Sequence, residues 1–146
     1  MADNATLARS FYEAFNNRDF DLLAEAIAPE GTITMVGSGQ TLRGPEGSRQ
    51  YNTMWDTAFP DGMITVNRII AQGDHVVVEF TGRGTHTGTM TTPAGAIPAT
   101  GRSVTLEFID VLEFGDGKLM SQRNYFDTGS LMTQLGISAV RPASVD

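Results

Sequence analysis

Residues 104–127, VTLEFIDVLEFGDGKLMSQRNYFD, decide the fold of this chain. They read as two strands joined by a tight turn at Gly115-Asp116-Gly117. Side chains alternate across a strand, so Asp110 shares one face of the first strand with apolar residues. Those residues are Val104, Leu106, Phe108, Leu112 and Phe114. A carboxylate in an apolar stripe costs free energy unless it is paired, protonated or facing a cavity, and such a local conflict indicates where function should be sought.

The turn determines which residue of the second strand opposes Asp110. A three-residue turn pairs Phe114 with Lys118, and Asp110 then opposes Gln122. Asn124 becomes a diagonal neighbour on the same face, about 7–8 Å away at the backbone and within side-chain reach. A turn of two or four residues would reverse this parity, because a shift of one residue moves every side chain to the other face.

Asp110 has two interpretations at this stage. In the functional one, it is a general acid or base whose pKa is raised by burial, and Asn124 donates a hydrogen bond to a developing enolate or carbonyl oxygen. In the structural one, Asp110 accepts hydrogen bonds from Gln122, Asn124 or a buried water and has no chemical role.

The rest of the chain predicts helices first and hairpin-linked strands afterwards. The apolar spacing indicates helices over residues 4–17, 19–28 and 44–59, with Asp19 as the cap of the second, and a helical turn over 129–135. Strands are predicted over residues 32–36, 63–71, 74–83, 102–114 and 118–127, and a partly irregular loop over 85–101. This order predicts one α+β domain with its core over about 4–136 and a loose tail over 137–146. Three N-terminal helices would pack on a curved, mostly antiparallel sheet and leave a pocket between the layers.

The composition excludes several classes of protein. The 146 residues carry a net charge of −7, which argues against nucleic acid or an anionic membrane surface as a partner. Cysteine is absent, so the chain has no disulfide, thiol nucleophile or thiolate metal ligand. The N-terminus has no secretory signal pattern, and no apolar run is long enough to cross a bilayer. We expect a soluble, cytoplasmic protein.

The remaining candidate residues are aromatic or polar. His75 is expected at the surface, and His86 either reaches the pocket or is a hydrogen-bonded loop histidine. Two distant histidines make a poor metal site, so no metal is expected. The glycine-rich GSGQTLRGPEG lacks the pattern of a phosphate loop, and Asp127 reads as a helix cap or ion-pair partner. The predicted substrate-binding residues are Phe15, Tyr51, Trp55, Phe80, His86, Phe108 and Gln122.

Six segments occur in an order that resembles a known family. They are FYEAFNNRDFDLLAEAIAPEG, GPEG, AFPDG, GDHVVVEFTGRGTHTG, TGRSVTLEFIDVLEFGDGKL and YFD. Over about residues 7–136 the chain is similar to SnoaL-like polyketide cyclases of the nuclear transport factor 2-like superfamily. The resemblance implies a cone-shaped α+β barrel with a deep pocket, often a dimer formed sheet to sheet. This scaffold hosts several activities, so fold alone does not assign one.

The chain departs from the family pattern at two positions. The resemblance places the acid/base residue on the last strand at Asn124, and its partner, commonly histidine, at Asp110. An amide cannot act as a base, so either the proton-transfer carboxylate has moved across the hairpin or the ancestral activity is gone. SQRNYFD is also similar to the last strand of limonene-type epoxide hydrolases. Their other catalytic positions fall near Thr81, Arg83, Ile33 and Met35, so that apparatus is missing here.

The leading hypothesis is a cofactor-independent enzyme that acts on a mostly apolar, carbonyl-containing small molecule. Asp110 and Asn124 are its predicted catalytic residues. Aldol-type polyketide cyclisation is the reaction that the resemblance implies, and isomerisation or dehydration would use the same proton transfer. The alternatives are a non-catalytic binding protein of the same fold and an epoxide hydrolase with a rearranged water site. A homodimer is the expected assembly.

Overall fold

A six-stranded sheet lies at the centre of the computed structural model, which describes residues 3–137. The helices are α1 (Asn4–Asn16), α2 (Phe20–Ala26), α3 (Gly44–Ala58) and α4 (Thr128–Gln134). The strands are β1 (Ile27–Met35), β2 (Gln40–Arg43), β3 (Met63–Gln72), β4 (His75–Thr85), β5 (Met90–Thr92), β6 (Gly95–Ile97), β7 (Ser103–Gly115) and β8 (Lys118–Phe126). The strand order is β2-β1-β8-β7-β4-β3, and β5 and β6 form a separate hairpin.

The helices begin where the sequence supplies caps. Asp19 accepts a hydrogen bond from the Leu22 amide and caps α2, as predicted. Asp127 accepts one from the Ser130 amide and caps α4, which confirms its reading as a helix cap. Pro45 lies in the first turn of α3, where its missing N–H leaves no hydrogen bond unmade.

The helices α1, α2 and α3 cover one face of the sheet, which we call the inner face. α1 packs on β3 and β4, α3 packs on β1, and α2 packs between α1 and α3. Ile33, Val76, Val78 and Leu112 are among the apolar side chains that are almost completely buried there. The opposite, outer face carries the alternate side chains of the same strands and leaves Ile109 partly exposed. An acidic side chain on the inner face is therefore shielded from bulk water.

One feature of the predicted architecture needs correction. The strands β1 and β2 separate α2 from α3, so the three helices do not form one N-terminal block, and α4 follows the sheet. The sheet is mostly antiparallel, as predicted, with one parallel pairing between β1 and β8. The segment 85–101, predicted as partly loop, contains the short β5–β6 hairpin. Local patterns cannot reveal a parallel pairing between strands far apart in sequence.

The β7–β8 turn is shorter than predicted. Gly115 pairs with Lys118, so only Asp116 and Gly117 form the turn. Both have positive φ angles, 51° and 75°, as the favoured two-residue hairpin turns require. A turn of this length would by itself have placed the β8 side chains on the opposite faces.

A bulge in β8 restores the predicted parity. The pairing steps from Phe114–Leu119 to Glu113–Ser121, so Met120 is the extra residue. Asp110 consequently pairs directly with Asn124, and the predicted Asp110–Gln122 pairing is wrong by two residues. The prediction that these side chains share one face is confirmed, because the two shifts of one residue add up to two and a shift of two residues keeps each side chain on its face.

Two further findings concern membrane-spanning helices and the C-terminal tail. Between residues 3 and 137, no helix is both long and apolar enough to span a membrane. The loose tail predicted for 137–146 lies, apart from its first residue, outside the described residues.

Candidate active site

A cavity lies between the helices and the inner face of the sheet. About 960 Å³ of space lies within it when the solvent space at its open mouth is counted. Eight aromatic side chains line it: Phe11, Tyr12, Phe15, Tyr51, Trp55, Phe59, Phe80 and Phe108. Polar side chains are few, so each one that reaches the cavity constrains what can bind.

Asp110 is the carboxylate that lines this cavity. It lies in the middle of β7 and is 1% exposed. The Tyr12 hydroxyl donates to its Oδ2 at 2.7 Å, and Gln122 Nε2 donates to the same oxygen at 3.2 Å. Asn124 Nδ2 donates to Oδ1 at 2.8 Å. All three donors are neutral, and none of the ion pairs found between residues 3 and 137 includes Asp110.

Burial controls the protonation of this group. Desolvation raises the pKa of Asp110 from 3.8 to about 6, although the hydrogen bonds from Asn124, Tyr12 and Gln122 oppose the rise. The charged form thus remains accessible near neutral pH. Burial, together with the charge of Asp110, raises the pKa of Tyr12 and of Tyr51 well above 10, so both phenols stay protonated. The cavity therefore combines one proton acceptor with two proton-bearing hydroxyls.

Tyr12 was not among the predicted site residues. It lies on the buried side of α1, next to Phe11, and its ring centroid is 4.9 Å from that of Phe80. A buried tyrosine hydroxyl needs a hydrogen-bond partner. The available signal was thus a tyrosine on an apolar helix face opposite an unpaired acid. The sequence did not show which strand that helix covers.

The aromatic residues predicted to bind substrate lie where expected. Phe15, Tyr51, Trp55, Phe80 and Phe108 line the cavity, as does Gln122. The rings of Phe80 and Phe108 are parallel at 4.9 Å, and the Trp55 ring meets Phe108 edge-on at 5.7 Å. They form a flat apolar wall beside Asp110, which favours planar or hydrophobic ligands.

A glycine makes room for this wall. A Cβ on Gly82 would lie 2.9 Å from the Phe108 ring, closer than such contacts allow. Gly82 itself lines the cavity on β4, opposite Leu106 of β7. The absence of a side chain there lets the Phe108 ring lie over the strand.

Asn124 lies beside Asp110 on the predicted strand face. It is completely buried on β8, yet it is not among the cavity-lining residues of the described chain. Its amide nitrogen contacts Asp110, and its Oδ1 has no hydrogen-bond partner between residues 3 and 137. The structure therefore joins Asn124 to Asp110 rather than presenting it to a substrate.

His86 also lies outside the cavity wall. It is fully buried, and its Nδ1 accepts a hydrogen bond from the Thr100 amide at 3.2 Å and lies 2.9 Å from Thr100 Oγ1. Its ring is 5.5 Å from that of Phe59, which does line the cavity. Burial lowers the pKa of His86, so the ring stays neutral. This is the hydrogen-bonded loop histidine of the two alternatives; His75, as expected, is exposed.

Metal binding has no candidate in the described part of the chain. Residues 3–137 contain no group of three or more histidine, aspartate or glutamate side chains that could hold a metal ion. The polar groups around the cavity are centred on Asp110 and its hydrogen-bonding neighbours.

The fold and the site together define a class: an α+β protein whose helices and sheet enclose an apolar cavity with one buried acid. The model of the family described as SnoaL-like polyketide cyclase matches residues 5–135. Aklanonic acid methyl ester cyclase AcmA of Streptomyces galilaeus is 31% identical over 142 residues, which cover 93% of this chain and 92% of that protein. The chain belongs to the SnoaL-like polyketide cyclase family.

Solved structures give the same fold. TsrD of Streptomyces laurentii superimposes with a TM-score of 0.78 at 27% identity, over 94% of this chain and 100% of that chain. IdmH of Streptomyces antibioticus gives a TM-score of 0.73 at 27% identity, over 92% and 100%. These similarities cover nearly the whole chain, so the fold is shared over almost its full length.

Proposed function

We propose that this protein is a cofactor-independent enzyme that closes a ring in an apolar small molecule with several carbonyl groups. The observation that supports the proposal is Asp110, a buried acid with a pKa of about 6 on the wall of an aromatic cavity. A group with this pKa is available as a base near neutral pH and returns the proton readily. The 31% identity with a cyclase supports ring closure as the first reaction to test, ahead of isomerisation or dehydration.

The proposed reaction begins with a proton transfer. The Asp110 carboxylate removes a proton from a carbon next to a carbonyl group, and the electron pair moves onto the carbonyl oxygen as an enolate. The enolate carbon then attacks a second carbonyl of the same molecule, which forms the new carbon–carbon bond and an alkoxide. Asp110 returns the proton to that alkoxide, so the carboxylate is regenerated and atoms balance.

The neutral donors divide into two sets in this scheme. Tyr12 and Gln122 stabilise the carboxylate through Oδ2. Tyr51 lines the same cavity and keeps its proton, so its hydroxyl is our candidate donor to the enolate oxygen, the role first assigned to Asn124. The aromatic wall excludes water, which would otherwise protonate the enolate before ring closure.

The direct test measures ring closure with aklanonic acid methyl ester as the first substrate probe. We expect the Asp110→Asn variant to lose at least about 100-fold in rate, because an amide cannot accept the proton. Asp116→Asn is the matched control, since it makes the same change in the exposed hairpin turn, where Asn tolerates the positive φ. A D110N variant with the wild-type rate on any accepted substrate would remove Asp110 from the mechanism.

A second candidate is a non-catalytic binding protein with the same cavity. Asn124 favours it, because an amide occupies the position where the resemblance places the acid. Such a protein would show a higher unfolding temperature with an apolar, planar ligand but no change in the ligand's mass or NMR spectrum. Conversion of the ligand by wild type, but not by D110N, would exclude this alternative.

We also infer that the chain acts in the cytoplasm and pairs with a second copy through the outer face of the sheet. Ile70, Ile109 and Tyr125 on that face are 52%, 39% and 37% exposed. The Arg68–Glu79 ion pair, 2.7 Å long, lies on the same face. Apolar area with both charge signs suits contact with an identical surface in the opposite direction.

A further inference from the structure

The buried amide oxygen of Asn124 has no part in the proposed reaction and no hydrogen-bond donor between residues 3 and 137. Asn124 is 0% exposed and does not line the cavity of the described chain, so it can influence a substrate only through Asp110. Its Oδ1 has no partner between residues 3 and 137, although its Nδ2 donates to Asp110 at 2.8 Å. A buried acceptor without a donor destabilises the folded state, so this arrangement calls for a physical reason.

The two oxygens of Asp110 differ in their free capacity. A carboxylate oxygen has two lone pairs in the plane of the group. Oδ2 receives both the Tyr12 hydroxyl and the Gln122 amide, so its two sites are filled. Oδ1 receives only the Asn124 amide and has one site open. The proton taken up by Asp110 therefore goes to Oδ1, and rotation of the hydroxyl about its C–O bond can point it at either site of that oxygen, including the one that faces Asn124.

A protonated Oδ1 has to donate a hydrogen bond in turn. Val78, which pairs with Asp110 from β4, has no titratable side chain. Tyr51 on α3 lines the cavity and keeps its own proton. The titratable groups that face Asp110 are thus Tyr12 and Tyr51, both neutral, and Gln122 and Asn124 on β8 carry no charge. Asn124 contacts Oδ1 and its own amide oxygen has no donor between residues 3 and 137, so that oxygen can accept from the Oδ1 hydroxyl if the amide reverses its direction.

We propose that Asn124 is a positioning residue whose side-chain amide rotates by about 180°, exchanging its oxygen and nitrogen, when Asp110 takes up a proton. With the carboxylate, the NH₂ group donates to Oδ1. With the acid, the amide oxygen accepts from the Oδ1 hydroxyl, and the NH₂ group takes the place of the oxygen that now lacks a partner. In each state one end of the Asn124 amide, either the oxygen or the NH₂ group, has no hydrogen-bond partner. The reversal therefore does not increase the number of unpaired polar groups.

This arrangement makes Asn124 different from Tyr12 and Gln122. Those two donate to Oδ2 and favour the carboxylate, whereas a reversible amide supports both protonation states and keeps them close in free energy. The consequence for ring closure rests on the proposed function, because a base that must take up and return one proton gains from nearly equal states. The reversal itself is a property of the free protein and is tested without substrate.

The first test compares titrations of Asp110 by ¹³C NMR in the free protein. If Asn124 only donated, Asn124→Leu would raise the midpoint more than Gln122→Leu does, because its hydrogen bond is shorter, 2.8 Å against 3.2 Å. If the amide reverses, Asn124→Leu removes a bond from both states and shifts the midpoint less than Gln122→Leu. The larger shift for Asn124→Leu would overturn the proposal, whatever the activity of either variant.

The second test uses the wild type and does not depend on a folded variant. Neutron diffraction locates the amide deuterons of Asn124 in crystals equilibrated well below and well above the Asp110 midpoint. We expect the deuterated amide to face Asp110 above the midpoint and the amide oxygen to face it below. Deuterons facing Asp110 in both crystals would overturn the inference. Loss of ring closure in D110N with a fixed amide would leave the proposed function standing while removing this role of Asn124.

Discussion

Asp110 shows how strand alternation can place a charge where free energy opposes it. Its neighbours on the same face, Phe108 and Leu112, are buried core residues, and the strand cannot turn one side chain outward without moving the others. The carboxylate therefore stays on the inner face and is satisfied by donors from α1 and β8. A buried acid with only neutral donors keeps a raised pKa, which a salt bridge would have lowered.

This raised pKa predicts how stability depends on pH. The folded protein binds the Asp110 proton more tightly than the unfolded chain does, since the pKa rises from 3.8 to about 6. The contribution of this group to the free energy of unfolding is complete below pH 4, falls between about pH 4 and 6, and stays low above that. The two-unit shift corresponds to about 3 kcal/mol at most.

Urea unfolding at a series of pH values measures this effect. We expect the wild type minus D110N difference in unfolding free energy to decrease as the pH rises through this window. Using the difference cancels the contributions of the other carboxylates, such as Asp61, whose lowered pKa acts in the opposite direction. A difference that stays constant between pH 4 and 7 would contradict the raised pKa of Asp110.

Tyr12 provides a second prediction at this scale. Tyr12→Phe removes the shortest of the three hydrogen bonds to Asp110, at 2.7 Å, and keeps the ring that packs on Phe80. We expect the pKa of Asp110 to rise by about one further unit, because a hydrogen bond to a charged group contributes about 1.5–3 kcal/mol. The acid limb of the pH–rate profile should move upward by the same amount.

The matched control for Tyr12→Phe is Tyr125→Phe. It removes the same hydroxyl from the outer face, where that oxygen accepts a hydrogen bond from Arg123 at 3.0 Å. We expect no change in the titration of Asp110 in this control. Equal midpoints in Tyr12→Phe and wild type would show that Tyr12 does not hold the carboxylate in solution.

At the scale of elements, local patterns predicted more than pairings. Apolar spacing and caps located α1, α2 and α3, and the hairpin signals located β3, β4, β7 and β8 to within a few residues. The start of β1 at Ile27 and the parallel β1–β8 pairing were missed, because both depend on contacts between distant segments. The cavity lining followed from alternation, whereas Tyr12 and the orientation of Asn124 depended on packing between elements that the sequence does not reveal.

The bulge in β8 predicts that the fold tolerates the deletion of one residue from this strand. Deleting Met120 removes the extra residue and leaves a regular ladder with the pairs Glu113–Ser121 and Asp110–Asn124 unchanged. We expect this deletion to cost no more than about 2 kcal/mol, measured by thermal or urea unfolding. Deleting Arg123 is the control, because it keeps the bulge but turns Asn124 outward and places Tyr125 against Asp110. Equal losses in the two deletions would contradict the role of the bulge in setting parity.

At the scale of the whole molecule, the two faces of the sheet have different compositions. The inner face combines apolar side chains with the polar cluster around Asp110. The outer face carries Ile109 paired with Tyr125, and a hydrogen-bonded set in which Asn67 donates to Thr81 and Thr81 donates to Glu107. Each strand alternates between these two environments, so one sequence pattern builds the cavity and, on our proposal, an association surface.

The proposed dimer predicts a mass of twice the 15.7 kDa chain in light scattering after size exclusion. Ile109→Lys places a charge in the centre of the outer face, where burial against a second copy would cost several kcal/mol, and should give the single-chain mass. Leu22→Lys is the matched control, because Leu22 is equally exposed, 39%, but lies on α2. It should stay dimeric. A wild type of single-chain mass, or a folded Ile109→Lys variant that remains dimeric, would place the association surface elsewhere or show that there is none.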